Sequence, residues 1–258
     1  MSFISVLIAC FLSFIVSIFS VSVGGTSLIT VPVLISLGMS SKNAVATNMF
    51  ALIFLSMIGA VGFRKVIRET HYRMLTFFSI LTICGSLIGA NFILVMDKDV
   101  LKKVIAIMIC IIASSFLLKK DLGIQERKEK ISKMKFVSST LSIFILGIYG
   151  GFFSGGYVTI LSYVLILTLG LNFLQVAFIT KIFNIFSSLV ACAFFYYHGF
   201  IDFSVGVPLA LSMSSGALFL MVMSTVARNP NASGSITFPP GTSRLPVMVR
   251  MIDRARTV

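Results

Sequence analysis

Charge is scarce in this chain: 11% of its 258 residues are Asp, Glu, Lys or Arg, where a water-soluble domain carries roughly one quarter. That shortage excludes a fully solvated globular surface. Tryptophan is absent, and Cys10, Cys84, Cys110 and Cys192 each sit in an apolar run with no C-x-x-C spacing. A disulfide framework or a cysteine metal site is therefore not expected. The two histidines, His71 and His198, fall in loops between apolar runs, and the chain has neither H-E-x-x-H nor a pair of aspartates inside such a run. An intramembrane enzyme would lack its catalytic groups. No G-x-x-x-x-G-K-[ST] phosphate loop occurs either, so hydrolysis of a nucleotide by this chain is not expected. We expect no enzyme activity, no cofactor and no metal.

What the chain has in quantity is apolar sequence, 57% of the residues at a mean hydropathy of +1.05. Apolar runs recur from end to end, and a bilayer core needs about 20 helical residues. The expected fold is all-α, a polytopic membrane protein of about seven to nine membrane segments. The first run, Ser2 to Val23, lacks the basic start and small-residue cleavage site of a signal peptide, and is expected to be a retained span. The net charge of +13 lies mostly in short loops between runs. Membrane topology explains it; the expected partner is the lipid bilayer, and no nucleic acid is expected.

The runs fall into two sets. Ser2 to Leu37 is interrupted by V-G-G-T-S at Val23 to Ser27, and Ala44 to Phe63, Met74 to Met96 and Val104 to Leu118 follow. After a basic stretch, Phe136 to Leu169 is interrupted by Y-G-G-F-F-S-G-G at Tyr149 to Gly156, and Phe173 to Tyr196 and Phe203 to Val226 follow. Gly24-Gly25 pairs with Gly155-Gly156, Gly38 with Gly170, Thr47 with Thr180 and Asn48 with Lys181, and Gly85 to Gly89 matches Gly216 to Leu220. The expected organisation is a first transmembrane repeat over 1–118, a basic cytoplasmic loop over 119–135, a second repeat over 136–226 and a polar tail over 227–258. Duplication with an interrupted helix at matching places points to a transporter's binding site. Glycine pairs break helices through their backbone freedom, and such a break at membrane depth must face protein or a cavity. The alternative for these glycines is close helix packing.

Arg64 to Arg73 holds four basic residues and one acid, and Lys119 to Lys135 seven and three; both are expected on the cytoplasmic face. The second-set counterpart of the first loop, Tyr196 to Asp202, has no Lys or Arg. That contrast favours an inverted repeat. The alternative is one strongly kinked crossing in each half and a parallel repeat. The tail from Ala227 has five Arg and no Lys, and four of the six prolines. The repeat calls for a further span there, and none is possible. A reading frame shifted or interrupted near Val226 is one explanation, a native polar terminus the other.

These marks resemble the TauE/SafE family of sulfite exporters and sulfonate permeases over roughly residues 5 to 225. The first-half pattern is Gly24-Gly25, Val31-Pro32, Gly38 and A-V-A-T-N at Ala44 to Asn48; the second is Gly155-Gly156, Thr180-Lys181 and Asn184. This chain departs in having V-G-G-T-S in place of three glycines, and Leu220 where the first half has Gly89. The resemblance implies movement of small organosulfur or sulfur oxyanions, or of carboxylates in some members, across the cytoplasmic membrane of bacteria and archaea.

Lys181 carries the sharpest expectation. It lies about 12 Å into its run, where a lysine costs roughly 3 kcal/mol on insertion scales. With no acid in any run to pair it, a substrate anion is the natural counter-ion. Helix N-termini beside Gly24, Gly25, Gly155 and Gly156 offer positive dipole ends. Thr47, Asn48, Thr180 and Asn184 could complete the substrate shell by hydrogen bonding. The plainer alternatives are a lysine snorkelling to the interface and threonines bonded to their own backbone one turn back. A secondary anion transporter is the expected function; an anion channel and an inactive truncated relative are the alternatives.

Overall fold

The computed structural model describes residues 2–64, 72–118 and 133–228. The core of the basic loop, 119–132, and the tail beyond Arg228 lie outside the described residues, as does His71. The described residues form nine helices: α1 Phe3–Val23, α2 Thr26–Ser36, α3 Ser41–Phe63, α4 Tyr72–Val95, α5 Lys98–Leu118, α6 Lys133–Phe152, α7 Tyr157–Leu169, α8 Phe173–Tyr197 and α9 Phe203–Arg228. There is no strand among them. Six of the helices are long and apolar enough to cross a membrane, and α2 and α7 are shorter apolar helices. The chain is thus a polytopic α-helical membrane protein.

Local chemistry explains the ends. Ser40 caps α3 by accepting from the Asn43 N–H at 3.3 Å, and Asn172 with Gln175 closes a capping box on α8. These side chains satisfy donors that the first helical turn leaves free. Both interruptions are true breaks. Gly25 (φ 89°) and Gly156 (φ 73°) are left-handed at the starts of α2 and α7, a conformation open to glycine at little cost. One helix boundary departs from the sequence expectation. α5 begins at Lys98, six residues before the apolar run that opens at Val104, and its first turn closes with the Leu101 N–H donating to the Asp97 carbonyl at 2.9 Å.

Helix directions follow from the residues that touch. Ser212 on α9 donates to the Cys10 carbonyl on α1, and a carbon on Gly216 would lie 2.5 Å from the Phe14 carbonyl, so α1 and α9 run the same way. Gly206 faces Thr47 and Phe50, and Gly62 faces Met221, so α3 runs with them. α8 opposes α3: Gly59 meets Lys181 and Ser56 meets Asn184. α4 returns from α3, its last turn held where Lys42 Nζ donates to the Leu94 carbonyl at 3.0 Å. α6 runs with α4, as Phe136 stacks on Phe77 at one end and Gly151 meets Ser86 further along. Thus α1, α3 and α9 point one way and α4, α6 and α8 the other. Helices at matching places in the two halves, α1 and α6, α3 and α8, α4 and α9, run in opposite directions. The packing interchanges in the same way: α1 lies on α9 as α6 lies on α4, and α3 lies on α9 as α8 lies on α4. α2 therefore reverses the chain after α1, so the continuous kinked crossing is not what forms.

α3 and α8 pack on each other at the centre. The buried share of their apolar stretches is 72% and 67%, against 28% for α1 and 39% for α9. The outer pairs depend on small residues. A carbon on Gly89 would collide with the Ile148 carbonyl, and one on Gly85 would stand 2.7 Å from the Phe144 carbonyl. Close backbone approach of this kind drives helix association in lipid. Gly89→Ala is expected to lower stability by about 1–3 kcal/mol, read as a drop in thermal unfolding temperature in detergent. Leu220, its counterpart on α9, is half-buried against the core.

Candidate functional site

The two glycine breaks meet. A carbon on Gly24 would lie 2.7 Å from Val158 Cβ, and one on Gly155 3.2 Å from Leu28 Cδ2. Ser27 Oγ and Ser154 Oγ, one beside each break, are 2.8 Å apart and buried. Asn48 on α3 donates from Nδ2 to Ser27 Oγ at 2.7 Å and accepts from Thr30 Oγ1 at 2.5 Å. Ser20 and Thr26 hydroxyls pair across the first break at 2.5 Å. The seam where the halves touch is therefore lined by small neutral hydroxyls and one amide, buried among apolar helices.

Lys181 lies on the other side of this seam. It is 1% exposed and among the largest enclosed side chains. Its stem runs across Gly59 of α3: a carbon there would stand 3.1, 3.2 and 3.3 Å from Cδ, Cγ and Cε. The missing side chain at Gly59 is what gives the lysine room. One turn along, Asn184 Nδ2 donates to Ser56 Oγ at 2.7 Å. Lys181, Asn184, Ser187 and Ser188 make a buried polar stripe on α8, at i, i+3, i+6 and i+7, successive steps of three or four residues along one side of the helix. No hydrogen bond or ion pair reaches Lys181 among the described residues. The carboxylates among those residues are Asp97, Asp99 and Asp202, all at helix ends.

The expected shell is divided by this geometry. Asn48 joins the first break, while Lys181 and Asn184 engage α3 at Gly59 and Ser56; along α3, Asn48 and Gly59 are about 16 Å apart. Thr47 is elsewhere, its Oγ1 accepting from the Asp202 N–H at 3.0 Å before α9. Thr180 Oγ1 donates back to the Val176 carbonyl at 2.8 Å. Six polar residues of the seam escaped sequence reasoning: Ser20, Thr26, Ser27, Thr30, Ser56 and Ser154. The signal available for them was proximity to the breaks, since a serine or threonine inside an apolar run usually serves its own helix.

Crossing helices that run oppositely in the two halves, paired breaks and a buried polar seam define a membrane protein of the transporter class. The chain belongs to the family described as sulfite exporter TauE/SafE, whose model matches residues 9–228. It is 30% identical over 204 residues to a probable membrane transporter protein of Haemophilus influenzae, covering 79% of each chain. It is 26% identical to the probable membrane transporter protein YfcA of Escherichia coli K12, over 75% of this chain and 71% of that one. A probable membrane transporter protein of a Sinorhizobium species is 23% identical over 75% of this chain and 73% of its own. No solved structure matches the chain.

Proposed function

We propose that the chain is a secondary carrier of small anions, sulfur oxyanions such as sulfite or an organosulfonate, or small carboxylates, in the cytoplasmic membrane, and not an enzyme. The observation that carries this is an enclosed lysine, 1% exposed, in a seam otherwise built of neutral hydroxyl and amide groups. An intramembrane cation that no carboxylate among the described residues pairs marks a substrate route. The substrate anion supplies the counter-charge; Lys181 binds it, Asn184 orients it, and Asn48 with Ser27 serves the mirrored position at the other break.

The opposed directions of matching helices support reading the two halves as an inverted duplication. Two opposed halves around a fixed seam can open it alternately to either face. Contact between the breaks at Gly24 and Val158 supports placing the moving joint there. The arginine and lysine loops that follow α3 and α5 support placing that end of the bundle in the cytoplasm.

The test is exchange in proteoliposomes. Vesicles loaded with unlabelled sulfite, thiosulfate, taurine or acetate should accumulate the labelled form of the accepted anion transiently, and uptake should saturate. That overshoot is the mark of a carrier. Flux that rises linearly with concentration and shows no overshoot would mean a channel, and no flux of any of the four would end the anion reading.

A further inference from the structure

The glycines of this bundle do not all do the same work. A carbon added to Gly85, Gly89, Gly151 or Gly216 would run into the backbone carbonyl of a neighbouring helix, so those glycines serve close helix approach. At Gly59 on α3 the three nearest atoms all belong to one side chain, the stem of Lys181, with Cδ at 3.1 Å, Cγ at 3.2 Å and Cε at 3.3 Å. Carbon atoms pack best at about 3.5–4.0 Å, so the stem already occupies the space a side chain at 59 would claim. A lysine stem is long and flexible. Where its ammonium stands is decided by the surface the stem lies on.

The repeat supplies an internal comparison. Asn48 is the counterpart of Lys181, and the residue eleven places beyond each is Gly59 on α3 and Cys192 on α8. The antiparallel register that sets Gly59 against Lys181 and Ser56 against Asn184 also brings Cys192 to the level of Asn48. Cys192 is buried. The long, charged side chain therefore crosses a glycine, while its shorter counterpart lies level with a cysteine. Side-chain volume is traded between the two ends of the α3–α8 crossing, and the end without a Cβ is the end that carries the charge.

We propose that Gly59 is a positioning residue of the anion site: by having no side chain it sets the course of the Lys181 stem, and with it the place where the ammonium is presented. This rests on the anion-carrier reading and deepens it, because the charge comes from α8 and its placement from α3. The site is thereby shared between the two halves, and sliding of α3 along α8 moves the surface that holds the stem.

The test uses the full chain in detergent and in proteoliposomes, as wild type, Gly59→Ala, Lys181→Ala, the double variant and Gly62→Ala. Gly62 lies three residues further along α3, and a carbon there would meet Met221 of α9, so it crowds α3 away from the lysine. Thermal unfolding is followed with and without sulfite, thiosulfate and acetate, beside exchange of the same labelled anions. Gly59→Ala should raise the Kd of the accepted anion about tenfold, and Gly62→Ala should stay within about twofold of wild type. Alanine in place of a helical glycine normally stabilises. That gain should appear in full only where Lys181→Ala has removed the stem, so Gly59→Ala should raise the unliganded melting temperature more in that background than in wild type. Should Gly59→Ala alone fail to fold, recovery of folding in the double variant is the same coupling. Equal melting shifts in the two backgrounds would overturn the inference. So would a wild-type Kd in Gly59→Ala, or an equal loss of affinity in Gly62→Ala, and in each case loss of binding in Lys181→Ala would leave the carrier reading standing. Anion binding and exchange in Lys181→Ala like those of wild type would overturn the carrier reading itself, and the positioning role with it.

Discussion

Lys181→Met is expected to abolish anion exchange and anion-dependent stabilisation, and to leave the unliganded protein as stable as wild type or more so. The two effects have one cause. An enclosed ammonium that no carboxylate among the described residues pairs is a standing cost to the fold, and a hydrophobic side chain of similar length in its place is often neutral or stabilising by about 1–4 kcal/mol. The stem already lies against Gly59 and the neighbouring helices, so methionine can occupy the same groove. What methionine cannot supply is charge. A ligand present at 100 times its Kd stabilises by about 2.7 kcal/mol, and that increment should vanish for every anion tested.

Lys181→Arg should not restore it. The guanidinium is broader than an ammonium, and the lysine stem already lies where a side chain at Gly59 would stand. The measurement is a thermal-unfolding series with and without each anion, read beside exchange in proteoliposomes. Melting that rises with anion equally in Lys181→Met and wild type would remove the lysine from the site. A lysine that merely snorkelled would also predict little change in exchange. The fold thus tolerates at Lys181 a residue it would be better without, the usual relation of stability to function at a binding site.

Much of the architecture could be read from the chain because its physics is one-dimensional. Apolar runs fix the crossings, glycine pairs fix the breaks, and charged loops orient the ends. The opposed directions of α3 and α8 were foreshadowed only by the contrast between Arg64 to Arg73 and Tyr196 to Asp202, which has no Lys or Arg. The start of α5 is not legible in hydropathy, since the apolar run begins at Val104 whereas the helix begins at the charged Lys98.

The polar seam was less legible. Lys181 stands out because a charge deep in an apolar run is costly, with snorkelling to the interface as its plainer alternative. Thr47 and Thr180 looked like Asn48 in pattern, yet Thr47 serves the Asp202 backbone and Thr180 its own helix. Ser27 and Ser154 matter because the two breaks touch, and contact between distant segments has no local signature.

Gly24→Ala should be among the most damaging single changes outside the lysine, and its cost divides into two measurable parts. The backbone at Gly24 has φ 87° and ψ −166°, a region held almost only by glycine, where another residue costs about 1–3 kcal/mol. The added carbon would also stand 2.7 Å from Val158 Cβ and 2.8 Å from Val158 Cγ1, and overpacking of that kind costs about 1–3 kcal/mol more. The sum, about 2–6 kcal/mol, is a large part of the stability of any domain. Val158→Gly removes the second part and leaves the first. It carries its own penalty of about 1 kcal/mol as a glycine within a helix. In a double-mutant cycle the pair should therefore show a favourable coupling of about 1–3 kcal/mol, with the remainder of the Gly24→Ala loss intact. Zero coupling would mean that the breaks are not in contact, and with that contact would go the joint on which alternating access is built here. Exchange should follow the same cycle: the double variant should fold better than Gly24→Ala and still move anion slowly, because the strained hinge persists after the clash is relieved.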